Sequence, residues 1–390
     1  MDNNVISAKQ MRPMVALYII GSSLVTGASS AAGQDTWIGM VFGFLLSLPL
    51  ILVHTAILNL YPGRNYPDAI LKIYGKAGGR IVILFYSVYV FHLGGMVLRT
   101  FAEFIRTVNM TETPLIAIMA FILIVSVFLM KNRVNVLARV SKFVFPLLVI
   151  TLILTLILSI KDMDLKNIKP VFGSGFRNIF AGSWFFFAVP FGEVVVCAPL
   201  FEGLDRKNRI LPVFFKGALY GFLVLFAANL RNILVLGYST SVFPFASYES
   251  VSVISYGEFF TRIEVLIGIN LLLAGFIKVC VLIFAVSRGF SKAFDLGDYV
   301  PYVVPGGLLI LSIALVVHSD TNEMYVWLYK YMPVYSVPFQ IVLPILTLII
   351  GTVRKKIAGK KTGKKKPARQ GKDARPGEES EREEEAVPQP

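Results

Sequence analysis

Phe185-Phe186-Phe187-Ala188-Val189-Pro190-Phe191-Gly192-Glu193-Val194-Val195 is an apolar segment interrupted in its middle. Pro190 removes a backbone donor and disfavours helix at Val189. Gly192 loosens the chain two positions later, and Glu193 puts a carboxylate among hydrophobic side chains. A second interruption lies at the matching place in the first half: Ile19-Ile20-Gly21-Ser22-Ser23-Leu24-Val25-Thr26-Gly27-Ala28. Unwound backbone frees N–H and C=O groups, which are costly in lipid unless they line a cavity or are buried in protein. Paired interruptions in two halves of a membrane chain are the sequence mark of an inverted-repeat transporter fold, with its site at the breaks.

The surrounding composition agrees. Of 390 residues 55% are hydrophobic and 16% charged, and mean hydropathy is +0.68, the signature of a polytopic membrane protein. The net charge is +14, of which +5 falls in the tail after Val353 and the rest mostly in short loops. Such charge reads as topology and attraction to the bilayer surface rather than nucleic-acid binding. Cys197 and Cys280 both lie in apolar segments, which argues against a disulfide or thiolate metal site. His54, His92 and His318 lie on separate spans without ligand spacing, so no metal or cofactor is expected. No Walker A, HExxH or Gly-x-Ser-x-Gly pattern is present, and an enzyme is not expected.

Segments of about twenty apolar residues cross the hydrocarbon core. Ten are predicted, at 12–32, 38–60, 81–105, 113–130, 143–160, 183–201, 212–236, 263–287, 301–318 and 336–353. The first is read as a span rather than a cleaved leader. The expected fold is all-α, ten transmembrane helices in a 5+5 inverted repeat with broken first and sixth helices. The membrane domain is 1–353, with repeat one at about 12–160 and repeat two at about 183–353. The charged tail 354–390 is expected to be disordered. With the N-terminus inside, inner segments carry 16 Lys/Arg before the tail and outer segments 8, which places both termini in the cytoplasm. The stretch 161–182 fits least well, with four cations in an outer loop. Tyr61-Pro62-Gly63 predicts a turn, followed by a short amphipathic helix through Ile70, Ile73 and Tyr74.

Several local motifs narrow this further. Ile6-Ser7-Ala8-Lys9-Gln10 leads into the first span, and Gln34-Asp35-Thr36-Trp37-Ile38 opens the second. Val97-Leu98-Arg99-Thr100-Phe101-Ala102-Glu103-Phe104-Ile105 closes the third, and Thr113-Pro114 begins the fourth. Arg262-Ile263-Glu264 opens the eighth, which carries Phe276-Ile277-Lys278. Over about residues 5–353 the sequence resembles the permease-like B subunit of GerA-type spore germinant receptors, a branch of the amino acid–polyamine–organocation superfamily with a LeuT-like fold. The resemblance implies a protein of the inner membrane of a bacterial endospore. It implies two partners, a membrane A subunit and a lipoprotein C subunit. The implied task is recognition of a small nutrient germinant, commonly an amino acid.

The residues at the breaks supply the candidate ligand site. Gly21, Ser22, Ser23, Thr26 and Gly27 offer close backbone approach and free N–H groups suited to a carboxylate, or else tight helix packing. Val189, Pro190, Phe191 and Gly192 offer freed carbonyls. Glu193 binds an ammonium group or a proton, or pairs with Arg231 or Lys278. Lys278, about three turns inside the eighth span, either stands in for the cation that sodium-coupled relatives hold between the first and eighth spans, or snorkels to the inner interface. Tyr86 and Tyr89 share one face of the third span and line the cavity or pack in the core. Arg99, Glu103 and Arg106 form an outer-end charge cluster with the character of a partner contact. The leading function is a sensing subunit; the alternative is a secondary amino acid transporter, with Glu193 or Lys278 as the candidates for proton coupling, and a third class is a passive channel or scaffold whose broken helices are packing features.

Overall fold

The computed structural model describes residues 5–26, 31–63, 65–108, 110–241, 243–253 and 264–363, with side chains for all of these except 25, 26, 241, 264 and 358–363. Among the described residues seven helices are long and apolar enough to cross a membrane: Gly33–Leu60, Tyr66–Val108, Val134–Asp162, Gly175–Gly203, Ile210–Thr240, Val265–Ala293 and Thr321–Ile357. Two shorter apolar helices, Leu115–Lys131 and Val300–Val316, add the fourth and ninth segments. The first segment is broken, running Ala8–Ile20 and then Ser23–Thr26. Together these account for the ten apolar segments of the sequence.

Local chemistry sets the starts and kinks. Ser7 and Gln10 form a capping box at the head of the first span, the Gln10 side chain accepting from the Ser7 backbone N–H at 3.0 Å. The turn after Tyr61-Pro62-Gly63 leads into a helix from Tyr66 that kinks at Gly75, where φ is +80°. That conformation favours glycine.

Packing obeys the expected symmetry. The first span packs on the seventh, the sixth on the second, and the third on the eighth. Exchanging every span for its counterpart five positions away swaps the first two pairs and returns the third pair to itself. This is the arrangement of two inverted five-helix units. Gly275 of the eighth span leaves room for the Phe101 ring of the third, with which any Cβ at 275 would overlap.

The ends of the bundle sort in the same way. The loops around Asn65, Arg133, Asp205 and Asp298 gather at the face where the chain begins, around a cavity of ≈ 1260 Å³. On this N-terminal face Ile6 donates its N–H to Gly203 (2.7 Å) and accepts from Asp205 (2.9 Å), tying the start of the first span to the end of the sixth. At the opposite face Asp35 is fully buried. Its carboxylate accepts the N–H groups of Phe172 and Ser174, each at 2.9 Å, and the Ser174 hydroxyl. Arg99, Glu103 and Arg106 also lie at this end: Glu103 is fully buried and accepts from both arginines, Arg99 is buried and also donates to the Ala314 carbonyl, and Arg106 is partly exposed. The cluster thus ties the third span to the ninth and keeps one cation, Arg106, at the surface.

Several boundaries differ from the hydropathy reading. The fifth helix begins at Val134 and the sixth at Gly175, so 175–182 of the expected loop is helical. The tenth span begins at Thr321, fifteen residues before the expected start. Asn322, Glu323 and Lys330 interrupt its apolar run, but π-helical turns at Trp327–Tyr331 and Pro338–Val342 carry the helix through. The last helix continues to Gly363, so the start of the expected tail is helical, and 364–390 lie outside the described residues. Arg262 also lies outside them, as does the Glu264 side chain.

Removing the Asp35 carboxylate orphans partly buried donors on the 170–175 turn. Asp35→Ala is expected to destabilise the protein by about 2 kcal/mol, read as a lower melting temperature in detergent, with Asp35→Asn retaining part of the difference.

Candidate functional site

The two breaks meet at one buried ion pair. Helix stops at Ile20 and resumes at Ser23 in the first span. In the sixth it breaks at Val189 (φ −139°, ψ 111°) and continues from Gly192 as a tighter helix to Gly203. Lys278 reaches in from the eighth span and contacts both. Its Nζ lies 2.6 Å from Glu193 Oε2 and donates to Ser22 Oγ at 3.1 Å. It also sits 5.3 Å from the centre of the Tyr18 ring, within cation–π range. Lys278 and Glu193 are both almost wholly buried, at 0% and 1% exposure.

Gly21 explains how the lysine stem fits. A Cβ at position 21 would overlap Lys278 Cδ, so the first span can carry only glycine where the eighth crosses it. Gly192 has the same relation to Gln340 of the tenth span, whose Oε1 a Cβ would overlap. Both glycines therefore make room for protein side chains.

Carbonyls near the sixth-span break are met by side chains of other spans. Tyr86 donates its hydroxyl hydrogen to the Val195 carbonyl at 2.9 Å. Gln340 Nε2 donates to the Ala188 carbonyl (2.9 Å) and to the Tyr89 hydroxyl oxygen (2.8 Å). These bonds are the price of breaking a helix inside an apolar protein.

Beside the ion pair lies a cavity of ≈ 20 Å³, about the room of one water. Ser22, Val189 and Glu193 form its polar and unwound side. Leu93, Met96, Val97 and Thr100 of the third span face them. Met324, Leu328 and Met332, from the first half of the tenth span, close it. Tyr18 Oη and Ser23 Oγ are buried nearby in the first span without a hydrogen-bond partner among the described residues.

The expected site residues thus divide. Ser22, Val189 and Glu193 come together around the cavity, and Lys278 joins Ser22 to Glu193 beside it. Tyr86 and Tyr89 support the sixth-span backbone from the third. Phe191 turns into the core against Phe44 (5.3 Å) and Phe222 (5.9 Å), and Pro190 is buried beside it. Gly27 and the Thr26 side chain lie outside the described residues. Arg231 belongs elsewhere, bonding Asn232 Oδ1, Thr155 Oγ1 and the Ser247 carbonyl. Gln340 and the methionines were absent from the expectation. Gln340 was visible as a lone amide in Phe339-Gln340-Ile341, whereas Met324, Leu328 and Met332 fell in a stretch read as a connection.

On the N-terminal face the larger cavity is bounded by ion pairs: Arg288 with Glu202 at 2.9 Å and Arg133 with Asp298 at 2.8 Å. Tyr299 accepts the Val134 N–H there at 3.0 Å, and burial pushes its hydroxyl up to about 12.

With this geometry in place, the relatives become informative. The sequence matches the spore permease family, described as spore germination proteins, over residues 5–324. The chain belongs to that family. It is 28% identical over 374 residues to spore germination protein KB of Bacillus subtilis (strain 168), covering 93% of this chain and 99% of that protein. It is 23% identical over 362 residues to spore germination protein A2 of the same organism, covering 89% and 95%. Two solved structures share the fold at 12% identity and TM-score 0.64. One is Mhp1, a nucleobase-cation-symport-1 family transporter in a closed conformation with bromovinylhydantoin bound, covering 93% of this chain and 94% of that one. The other is MhsT in complex with L-phenylalanine, covering 87% and 97%. The spore permease chain is thus a multi-pass membrane protein with a transporter-like 5+5 inverted-repeat fold.

The ion pair makes its own prediction. Lys278→Met leaves the buried Glu193 without its cation and is expected to cost about 3–5 kcal/mol, whereas Lys278→Met with Glu193→Gln recovers most of that loss. Thermal unfolding of the single and double variants in detergent checks it. Equal losses in both would show that the pair does not hold the breaks together.

Proposed function

We propose that this protein is the germinant-sensing membrane subunit of a spore germinant receptor. On this reading it binds a small nutrient, an amino acid, at the unwound first and sixth spans and triggers germination. The observation that carries the reading is Lys278 bridging Ser22 and Glu193. One buried cation joins two unwound backbones beside a cavity with polar groups on one side and an apolar wall on the other. Glu193 and the unwound carbonyls suit an ammonium group, and the methionine and leucine wall suits an aliphatic body. Lys278 occupies the place of a bound cation between the first and eighth spans. The family and the solved relatives support the transporter-like cavity and the germination role.

The proposed setting is the inner membrane of the endospore, with both termini on the core side. The partners are a membrane A subunit and a lipoprotein C subunit. Residues 1–353 form the membrane unit, with repeats at about 12–160 and 183–353, and 354–390 a charged tail. Signalling requires that the nutrient bind one conformation of the chain better than another. The cavity of ≈ 20 Å³ is smaller than an amino acid, so binding there requires its walls to part.

A second reading, proton-coupled secondary transport of the same solute, is favoured by the cavity of ≈ 1260 Å³ on the N-terminal face, which gives solute room on that side.

Binding of glycine and the other standard amino acids in their L forms to the purified chain in nanodiscs, tested singly, checks the site. Val97→Phe fills the cavity from the third span and is expected to weaken binding by at least about tenfold, or 1.4 kcal/mol, while the protein stays folded. Unchanged binding in that variant would place the site elsewhere. Uptake into proteoliposomes separates the two readings: gradient-driven accumulation of the bound amino acid would sink the pure sensor, and binding without uptake supports it.

A further inference from the structure

Gln340 is wholly buried in the tenth span, within the π-helical turn Pro338–Val342. Such turns recur where a helix serves function. Both hydrogens of its Nε2 are committed, one to the Ala188 carbonyl and one to the Tyr89 hydroxyl. Ala188 immediately precedes Val189, where the sixth span breaks. Gln340 Oε1, although buried, has no hydrogen-bond partner among the described residues, and it faces Gly192 across the break. The amide therefore spends both donors holding the break while its acceptor stands idle. An unsatisfied buried acceptor costs free energy, which a newly arriving donor would recover.

The same turn is the base of the segment that closes the cavity. Tyr89 packs against Phe339 (4.8 Å) within that turn and against Tyr335 (6.0 Å) just before it. Residues 321–335 continue from there, and Met324, Leu328 and Met332 wall the ≈ 20 Å³ void. A solute larger than a water needs the walls of the void to part, and this segment is one of them. Gln340 thus touches the break, the third span and the root of the closing segment at once.

We propose that Gln340 transmits occupancy of the sixth-span break to residues 321–335. A ligand N–H donor that bonds the Ala188 carbonyl replaces Gln340 Nε2 there. The released amide turns its donors elsewhere, its grip on Tyr89 loosens, and 321–335 re-seats around the ligand. The exchange keeps the Ala188 carbonyl satisfied but leaves one buried Gln340 N–H without its acceptor, and that cost is what favours a new seat for 321–335. The inference rests on the ligand-site reading above and names how that site reports its state. Gln340 is a positioning residue in this scheme, not the principal source of affinity.

Backbone hydrogen exchange of the full chain in nanodiscs, with and without saturating L-leucine, whose aliphatic body matches the Met324, Leu328 and Met332 wall, tests this. In the wild-type protein ligand is expected to change exchange in 321–335 by roughly fivefold. Gln340→Leu is expected to keep the dissociation constant within about threefold and to lose the ligand-linked change. Gln340→Met, which removes both donors at nearly the same length, gives the same loss and serves if the leucine variant does not fold. Tyr89→Phe leaves the Ala188 bond in place and retains part of the response. A residue that only pins the helix would give faster exchange and a lower melting temperature without ligand, but an intact ligand-linked change. That result overturns the proposal. If no amino acid binds the wild-type chain, or if Val97→Phe binds normally, the site reading itself fails and the inference falls with it.

Discussion

Lys278 is an ammonium group placed where lipid and protein offer it little solvation, and much of the site follows from satisfying it. Glu193 supplies the counter-charge and Ser22 an acceptor, while the Tyr18 ring face lies within cation–π range. Each of these groups comes from a span that must hold its position for the cation to stay paired. The eighth span thus puts a charge between the breaks of the first and sixth. The cost of a buried ion unpaired is several kcal/mol, large against the whole stability of a domain. A conformational change at the breaks must therefore either carry the pair along intact or supply replacement partners for both ions.

Unwinding creates a second obligation, to the backbone. Carbonyls on the sixth span are met by Tyr86 and Gln340, reaching from the third and tenth spans. The close approaches this needs are possible only at glycine, at 21 beside Lys278 and at 192 beside Gln340. The broken spans, the lysine and the two glycines thus form one design, in which bulk is removed where a polar side chain must reach. This gives a physical content to the shared fold with Mhp1 and MhsT at 12% identity. The arrangement of spans is common to all three.

The breaks themselves were legible in the sequence because Gly21-Ser22-Ser23 and Pro190-Phe191-Gly192 interrupt otherwise apolar runs. Glu193 and Lys278 were legible as charges at membrane depth. Their pairing was one of two readings, since Arg231 is also a cation inside a span, and residue type does not say which helix face meets which. Tyr86 and Tyr89 stood out at helical spacing, but their task did not. A tyrosine that lines a cavity and one that satisfies a neighbour's carbonyl have the same sequence signature. The first half of the tenth span was hidden because Glu323 and Lys330 lower its hydropathy, although its methionines close the cavity.

The sequence by itself determined the class of molecule, the ten apolar segments, the two broken ones and the charges at membrane depth. Each is a property of composition along the chain, and the membrane imposes it locally through the cost of exposing polar groups to lipid. Tertiary structure alone decided that Lys278 meets Glu193 rather than Arg231, that Phe191 turns into the core, and that Gln340 attends the break from 152 residues away in the chain. These are contacts between spans far apart in sequence. Their geometry depends on how two inverted five-helix units interlock, which no local pattern of residues specifies.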